Sequence, residues 1–504
     1  MSRIRILVTT DVHGYIYPYN YSDSKEFFGG YGRVKTIIDT YRDENTIVLD
    51  NGDVLEGSAL SFYHYHNSDT EISPMTIAMK DIGYDYINVG NHDFNYGEKE
   101  LLKHLNNTGS TCITCNWHYQ DKPFSSYVIK EINDKKIAIF GLVTQYIPHW
   151  EKEENIKDTT FIDALECCKQ IVQTIKKKED VDYIVCLYHG GFERNLETGL
   201  PSEALTGENE AYQMIQEIDG IDVMLTGHQH RTLCGKLKNT VYTQTTCNGK
   251  EVACVDIDTE TNDISARIIP CDQPADASLL SDVQKEEDAC QTWLDQPLGT
   301  SSIDLCIHDE DDARLHKSQL ITFLNKVVLE KTHADISSTA LFLHATGFHS
   351  SITMRDIVST YVYPNTLVVK KVSGKTLKEY LEKNSEYFVL KNNEIVVNPS
   401  YIDPKPRGFD YDMLDGIAYT MKIGNPIGNR IISLTRNGIP IKEDDTFALA
   451  LNNYRASGGG NFEMLKNAET IQEHQDSMVD ILAEYIMKHK NIDFEEVNNI
   501  EIIQ

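Results

Sequence analysis

The sequence contains no uninterrupted apolar run near the roughly 18 residues of a membrane-spanning helix, and no such span is expected. Positive charge is scarce: 47 Lys and Arg stand against 77 Asp and Glu, a formal net charge of −30 over 504 residues. Bulk repulsion of that size argues against a protein that coats a nucleic-acid polymer or binds an anionic membrane. A small phosphate-bearing substrate stays open, because a bound metal ion reverses the local sign inside an acidic protein. Cysteine is missing from the last third; all 11 lie between Cys112 and Cys306. An odd number does not make a disulfide framework, so reduced thiols and a cytoplasmic setting are expected. The pair in "CITC" (112–115) has C-x-x-C spacing, but no second pair lies at zinc-site spacing, and the segment reads as a strand. No leader is expected from "MSRIRILVTTDVHG", because its apolar stretch is short and lacks a small-residue cleavage site.

What is present is the composition of a soluble globular protein, 40% hydrophobic and 25% charged, and a length that implies more than one domain. Over residues 1–270, short β-rich runs ("IRILVTT", "NTIVLDN", "YDYINVG", "KKIAIFGLV", "DYIVCLYHGG", "IDVMLTGHQH") alternate with helical patterns such as "SPMTIAMKDIG" and "LECCKQIVQTIKKK". This is α/β organisation. Residues 271–300 change character, opening with Pro and small residues and becoming charged and helical, and are expected to connect two domains. Residues 301–504 carry their own α+β pattern: helices at "HKSQLITFLNKVVLEK" and "GKTLKEYLEKNSEYF", a strand and turn at "NTLVVKKVSG", and strands and loops at "GIAYTMKI", "NRIISLTRNGIPI" and "DTFALALNNYRASGGGNF".

Polar clusters follow the N-terminal strands. Asp11 and His13 of "TTDVHG" are two apart, which places both on one side of an extended segment. Asp53 lies on the Gly turn of "LDNGDVLEG", where ordinary turn chemistry is the competing reading. "VGNHDFNYG" (89–97) sets Asn91, His92 and Asp93 in succession. A turn needs Asn and Gly but not His. "LYHGGFE" brings His189 before two glycines, and "TGHQH" brings His228 and His230. Each cluster alone has a bland alternative in a helix cap, a loop or a surface histidine. Together they form an oxygen-and-imidazole set at the C-terminal ends of strands, where α/β folds gather ligands. The set suits Mn²⁺, Zn²⁺, Fe²⁺ or Co²⁺. Seven ligands exceed what one catalytic ion with an open position can use. They fit two ions about 3.5–4 Å apart, which activate a water and clamp the oxygens of an in-line displacement at phosphorus.

The order D-x-H, G-D, G-N-H-[DE], H-G-G, G-H-x-H resembles the calcineurin-like metallophosphoesterases across essentially all of 1–270. That resemblance implies a four-layer αββα domain. It implies that Asp11, His13, Asp53 and His230 hold one ion and that Asp53, Asn91, His189 and His228 hold the other, with Asp53 bridging. His92 would serve the scissile phosphate, by stabilising charge or protonating the leaving oxygen. Asp93 would be structural. At Asn95, 5′-nucleotidases of this family carry an Asp that pairs with the catalytic histidine. An Asn orients the ring without supplying charge, and "NHDFNYG" looks like the 2′,3′-cyclic-nucleotide 2′-phosphodiesterase/3′-nucleotidase branch.

"STYVYPNTLVVKKVSGKTLKEYLE" (359–382) resembles the C-terminal 5′-nucleotidase domain, a smaller α+β nucleotide-binding unit, and "FDYDMLDGIAYTM" and "NNYRASGGGNF" resemble its nucleoside-binding segments. The resemblance implies a base stacked between Phe409 or Tyr411 and Tyr454. Core packing is the alternative for each ring. The family's G-G-D reads Gly458-Gly459-Gly460 here, its arginine-bearing segment corresponds to "HATGFHSSI", and "YPNT" also departs from the 5′-nucleotidase pattern. Arg355 is left as a phosphate or ribose contact or a plain salt bridge. The resemblance further implies a hinge near 271–300. The reading is therefore a hydrolase of nucleotide phosphoesters with two divalent ions, Mn²⁺ foremost, acting on a small nucleotide and leaning to the cyclic phosphodiesterase/3′-nucleotidase activity. The alternatives are a 5′-nucleotidase or nucleotide-sugar diphosphatase on the same fold, and a non-enzymatic nucleotide binder or sensor.

Overall fold

The computed structural model describes residues 3–202, 205–363, 365–403 and 405–504; Pro364 of the "YPNT" segment lies outside them. The chain divides into two compact units, Met1–Cys290 and Gln291–Gln504.

The first unit is built on two six-stranded sheets. One runs Ile264–Pro270, Glu251–Asp258, Arg3–Thr9, Thr46–Asp50, Tyr86–Ile87, Thr111–Cys112 from edge to edge. The other runs Leu233–Leu237, Thr240–Gln244, Val223–Thr226, Tyr183–His189, Lys135–Val143, Val128–Ile132. Strand period 2 decides the layers. Ile4, Ile6, Val8, Ile47 and Leu49 of the first sheet meet Ile137, Ile139, Val185, Leu187 and Leu225 of the second in one core. The alternate residues Ala138, Phe140, Leu142, Ile184, Cys186 and Met224 face outward onto the helices Ala164–Lys178 and Ala211–Glu217 in another. Helices Tyr31–Tyr41 and Pro74–Ile82 supply the remaining outer layer. The result is the expected α/β sandwich of four layers. Local signals set the helix limits. Ser73 caps Pro74–Ile82 by accepting from Thr76 N, Pro74 occupies the first turn, and Gly83 ends it at φ 72°.

Register brings the polar loops level. Thr9 pairs with Asp50, and Asp50 with Ile87, in parallel. His189 pairs with Val143, and Tyr188 with Thr226, also in parallel. Every loop that carries a candidate ligand therefore leaves its sheet at the C-terminal end of a parallel strand.

The segment expected to connect the domains is the helix Ala277–Leu294. Within the first unit it is held by two buried carboxylates. Glu286 Oε1 lies 2.6 Å from His64 Nδ1, and Glu287 Oε2 accepts from Tyr21 Oη at 2.8 Å. The second unit carries a five-stranded sheet in the order Asp412–Asp415, Ile336–Ala340, Thr446–Asn452, Thr366–Ser373, Glu469–Ser477, with helices Gln319–Thr332 and Gly374–Asn384. The 11 cysteines form no disulfide with one another. Among the described residues, no helix is long and apolar enough to cross a membrane.

Candidate active site

The seven expected ligands converge at the strand ends of the first unit. Asp11, His13 and His230 form one group, and Asp53, His189 and His228 another, each with its ligand atoms within 4.8 Å of one another. Asp53 Oδ2 stands between the groups, 3.1 Å from His189 Nε2 and 3.9 Å from His13 Nε2. Asn91 joins the second group through Oδ1, 3.2 Å from His189 Nε2 and 2.8 Å from His228 Nδ1. Asp11 Oδ1 lies 3.3 Å from His230 Nε2, and His13 Nε2 lies 3.1 Å from His230 Nε2.

Backbone conformation marks the same residues. Asp11 (φ 57°), His13 (52°), Asp53 (60°), His228 (68°) and His230 (55°) all adopt the left-handed region. Non-glycine residues held there cost on the order of 1–3 kcal/mol each and persist where the surroundings over-determine them. Close approach of the loops also dictates glycine at 90, where any side chain would collide with Asp53. Asp93 is structural, as expected: its carboxylate accepts from the backbone N–H groups of Asp53, Val54, Leu55 and Gly90 at 2.8–3.1 Å. It thereby fixes the turn that carries Asp53.

The donor set fits divalent cations. Asp53 Oδ2 is fully buried and makes no hydrogen bond of acceptable geometry, so a carboxylate oxygen is left with imidazole nitrogens around it. Burial pushes the His13 imidazole down to about 3, against the nearby carboxylates, so it stays neutral as a ligand must. Burial also opposes a charge on His189, but Asp53 and Asp11 overcome it and raise that ring to about 10. The field at the shared carboxylate favours positive charge.

His92 lies beside this centre rather than in it. Its Nδ1 is 2.8 Å from Asn95 Oδ1 and 3.3 Å from Glu56 Oε2. Asn95 Nδ2 donates in turn to Glu151 Oε2 at 2.6 Å, which orients the amide with its oxygen toward the ring. Asn155 Nδ2 and Lys152 N hold Glu151 Oε1, both at 2.8 Å. Burial alone would lower the His92 pKa, yet Asp53, Glu56 and the Asn95 hydrogen bond together raise it. The charge that Asn95 cannot supply comes first from Asp53 and then from Glu56, whose own carboxyl burial pushes up to about 7; Glu151, behind the amide, is pushed up by burial as well. Neither glutamate stands at a spacing that sequence reading could have flagged.

Comparison with known proteins agrees with this geometry. Residues 4–232 match the family described as calcineurin-like phosphoesterase, and residues 297–467 match the 5′-nucleotidase C-terminal domain. A solved Staphylococcus aureus structure, described as a candidate 5′-nucleotidase in complex with α-ketoglutarate, is 33% identical, covers 100% of both chains and has a TM-score of 0.95. The chain belongs to the 5′-nucleotidase family of calcineurin-like phosphoesterases. Among its curated relatives, the trifunctional nucleotide phosphoesterase protein YfkN of Bacillus subtilis is 23% identical over 99% of this chain and 39% of its own length. The 2′,3′-cyclic-nucleotide 2′-phosphodiesterase/3′-nucleotidase of Salmonella typhimurium is 27% identical over 90% of this chain and 81% of its own.

The segments expected to bind a nucleoside lie in the second unit, where packing separates the aromatic candidates. Tyr411 has no exposed surface; its ring stacks on Tyr387 with centroids 5.1 Å apart and meets Phe388 edge-on. It is a core residue, which corrects its place among the stacking candidates: it is the inward residue leading into the strand Asp412–Asp415. Phe409 and Tyr454 are half-buried. Arg455, buried, ties their segments together. Its Nε pairs with Asp412 Oδ2 at 2.6 Å and its Nη2 donates to the Phe409 carbonyl at 2.8 Å, while its Nη1 reaches the Gly459 carbonyl. The glycine at 460, where the family's G-G-D carries Asp, has a physical reason. A side chain there would collide with the carboxylate of Asp410, which already pairs with Arg455 Nη1 at 3.5 Å. Arg355 is the plain salt bridge of the two alternatives: its Nη2 contacts Asp295 Oδ1 at 2.6 Å and Gln291 Oε1 at 2.7 Å.

Proposed function

We propose that the chain is a nucleotide phosphoesterase using two divalent ions, Mn²⁺ foremost, and that it favours 2′,3′-cyclic nucleotides and 3′-nucleotides. The observation that carries hydrolysis is the pair of ligand groups meeting at Asp53, with a histidine held beside them by its own hydrogen-bonded partners. Asp11, His13, Asp53 and His230 would hold one ion, and Asp53, Asn91, His189 and His228 the other. When bound, two such ions activate a water and neutralise phosphoryl oxygens. This chain's residues do the rest. Asn95 and Glu56 engage His92 at Nδ1, and Nε2 would serve the leaving oxygen. Phe409 and Tyr454 take the base. The leaning toward cyclic and 3′ substrates is supported by Asn95 within "NHDFNYG" and by the activity named for the Salmonella relative. Cysteines without disulfides fit a reducing compartment such as the cytoplasm.

The test is product formation by the Mn²⁺-loaded protein, followed by chromatography, from 2′,3′-cyclic AMP, 3′-AMP, 5′-AMP and a nucleotide-sugar side by side. The cyclic and 3′ substrates are expected to turn over fastest. A clear preference for 5′-AMP would move the chain to the 5′-nucleotidase reading, and turnover indifferent to a chelator would overturn the metal mechanism. On the second unit, Tyr454→Ala is expected to raise KM for nucleotides by about 5- to 150-fold, the equivalent of about 1–3 kcal/mol of base stacking. It should leave p-nitrophenyl phosphate unaffected. Equal effects on both substrates would rule out stacking at Tyr454.

A further inference from the structure

The histidines of the centre do not all present the same nitrogen. His13 and His189 turn Nδ1 to backbone carbonyls, Glu56 O at 3.0 Å and Asn51 O at 2.7 Å, and point Nε2 at the centre. His228 is reversed. Its Nδ1 lies 2.8 Å from Asn91 Oδ1, inside the centre, and its Nε2 lies 2.9 Å from Glu208 Oε1. Its ring also stacks on Trp150, with centroids 5.5 Å apart and planes 24° from parallel. We propose that Glu208 is a positioning residue of the metal centre, accepting the Nε2 proton of His228 so that Nδ1 carries the lone pair a cation needs. The proposal rests on the dimetal reading above.

The placement of Glu208 is built into the fold. Its backbone carbonyl accepts from Thr144 Oγ1 at 2.7 Å and Tyr188 Oη at 3.2 Å, the first just past the neighbouring strand Lys135–Val143 and the second on the strand of His189 itself. The next residue, Asn209, accepts the Gly191 N–H through Oδ1 at 2.6 Å. The loop is thus fastened to the strand ends that carry the ligands, and Glu208 reaches His228 from a fixed base. Neutral imidazole exists in two tautomers, and only the one protonated at Nε2 can ligate through Nδ1. A carboxylate on Nε2 selects that tautomer and makes Nδ1 more basic. Outer partners of this kind typically contribute 10- to 100-fold in metal affinity. A backbone carbonyl does the same for His13 and His189 without a charge. Glu208 is therefore specific to the ion held by Asn91, His189 and His228, and the two ions of the centre differ in what sets their affinity.

The experiment is calorimetric titration of the metal-stripped full-length protein with Mn²⁺ alone, for wild type, Glu208→Ala and Glu208→Gln, with the thermal transition of each stripped protein recorded alongside. Glu208→Ala is expected to weaken one of two Mn²⁺ sites by about 10- to 100-fold and leave the other within twofold, with an unshifted transition. Glu208→Gln keeps an oxygen that accepts from Nε2 and should recover part of the loss. Wild-type protein that binds two ions while Glu208→Ala binds both unchanged, or loses both equally, overturns this proposal alone. Wild-type protein that takes up fewer than two ions overturns the dimetal reading with it.

Discussion

Asp53→Asn is expected to remove at least one divalent ion and to lower kcat by about 10³-fold or more, since metal ions contribute several kcal/mol to such reactions. The size follows from one atom's position. Asp53 Oδ2 lies 3.1 Å from His189 Nε2 and 3.9 Å from His13 Nε2, between the two ligand groups. The companion oxygen, Oδ1, is already committed, because it accepts the His92 backbone N–H at 2.7 Å. An asparagine must keep its carbonyl oxygen toward that N–H. Its NH₂ group then replaces Oδ2 and points two hydrogens at the place where a cation and imidazole nitrogens need a lone pair. The variant loses a charge and presents a donor at once. Elemental analysis of the dialysed protein, with kcat on 3′-AMP, checks it. Two ions per chain with kcat within tenfold of wild type would mean that Asp53 is not shared.

The candidate ligand residues were legible in the sequence because strands in an α/β unit end in register, so motif after strand is a spatial statement. Thr9 level with Asp50 brings Asp11 and Asp53 together, and the hydrogen bond from His189 Nδ1 to the Asn51 carbonyl at 2.7 Å joins the strand end of the second sheet to them. The two-core alternation of the strand Lys135–Val143 was equally readable, since its period is 2. What escaped was everything that reaches the site from irregular chain. Glu56 follows Asp53 through a turn, Glu151 follows a short 3₁₀ turn at Ile147–His149, and Glu208 precedes the helix Ala211–Glu217. No periodicity aims such side chains. Left-handed backbone at Asp11, His13, Asp53, His228 and His230 was hidden for the same reason, because none of these is a glycine that would announce it. In the second unit, Tyr411 shows the limit of a pattern reading. Phe409 and Tyr411 sit two apart with similar rings, and only packing against Tyr387 and Phe388 distinguishes the buried one. Arg455 was equally hidden within "NNYRASGGGNF", where its burial and its two aspartate partners come from a distant segment.

His92→Ala is expected to leave both ions in place and to lower kcat/KM for 3′-AMP by about 10²- to 10⁴-fold, the range of a lost general acid. The ring packs edge-on against that of His13, with centroids 5.3 Å apart, but stands outside both ligand groups, and its Nδ1 is held by Asn95 and Glu56, so metal content should not follow it. The informative comparison is between leaving groups. A ribose alkoxide is a poor leaving group and needs a proton as the P–O bond breaks, whereas p-nitrophenolate departs without one. If His92 protonates the leaving oxygen, its removal should cost the nucleotide far more than p-nitrophenyl phosphate. Glu56→Gln then serves as the graded version. Glutamine still offers an oxygen to Nδ1 at the Glu56 position but no charge, so a loss of about 10-fold with the same leaving-group bias is expected. Equal losses on both esters would put His92 on the phosphoryl oxygens that the two substrates share, stabilising charge there instead of moving a proton. Loss of an ion with His92 would mean that the ring is part of the metal centre, and the division of labour between Asn91 and His92 would have to be redrawn.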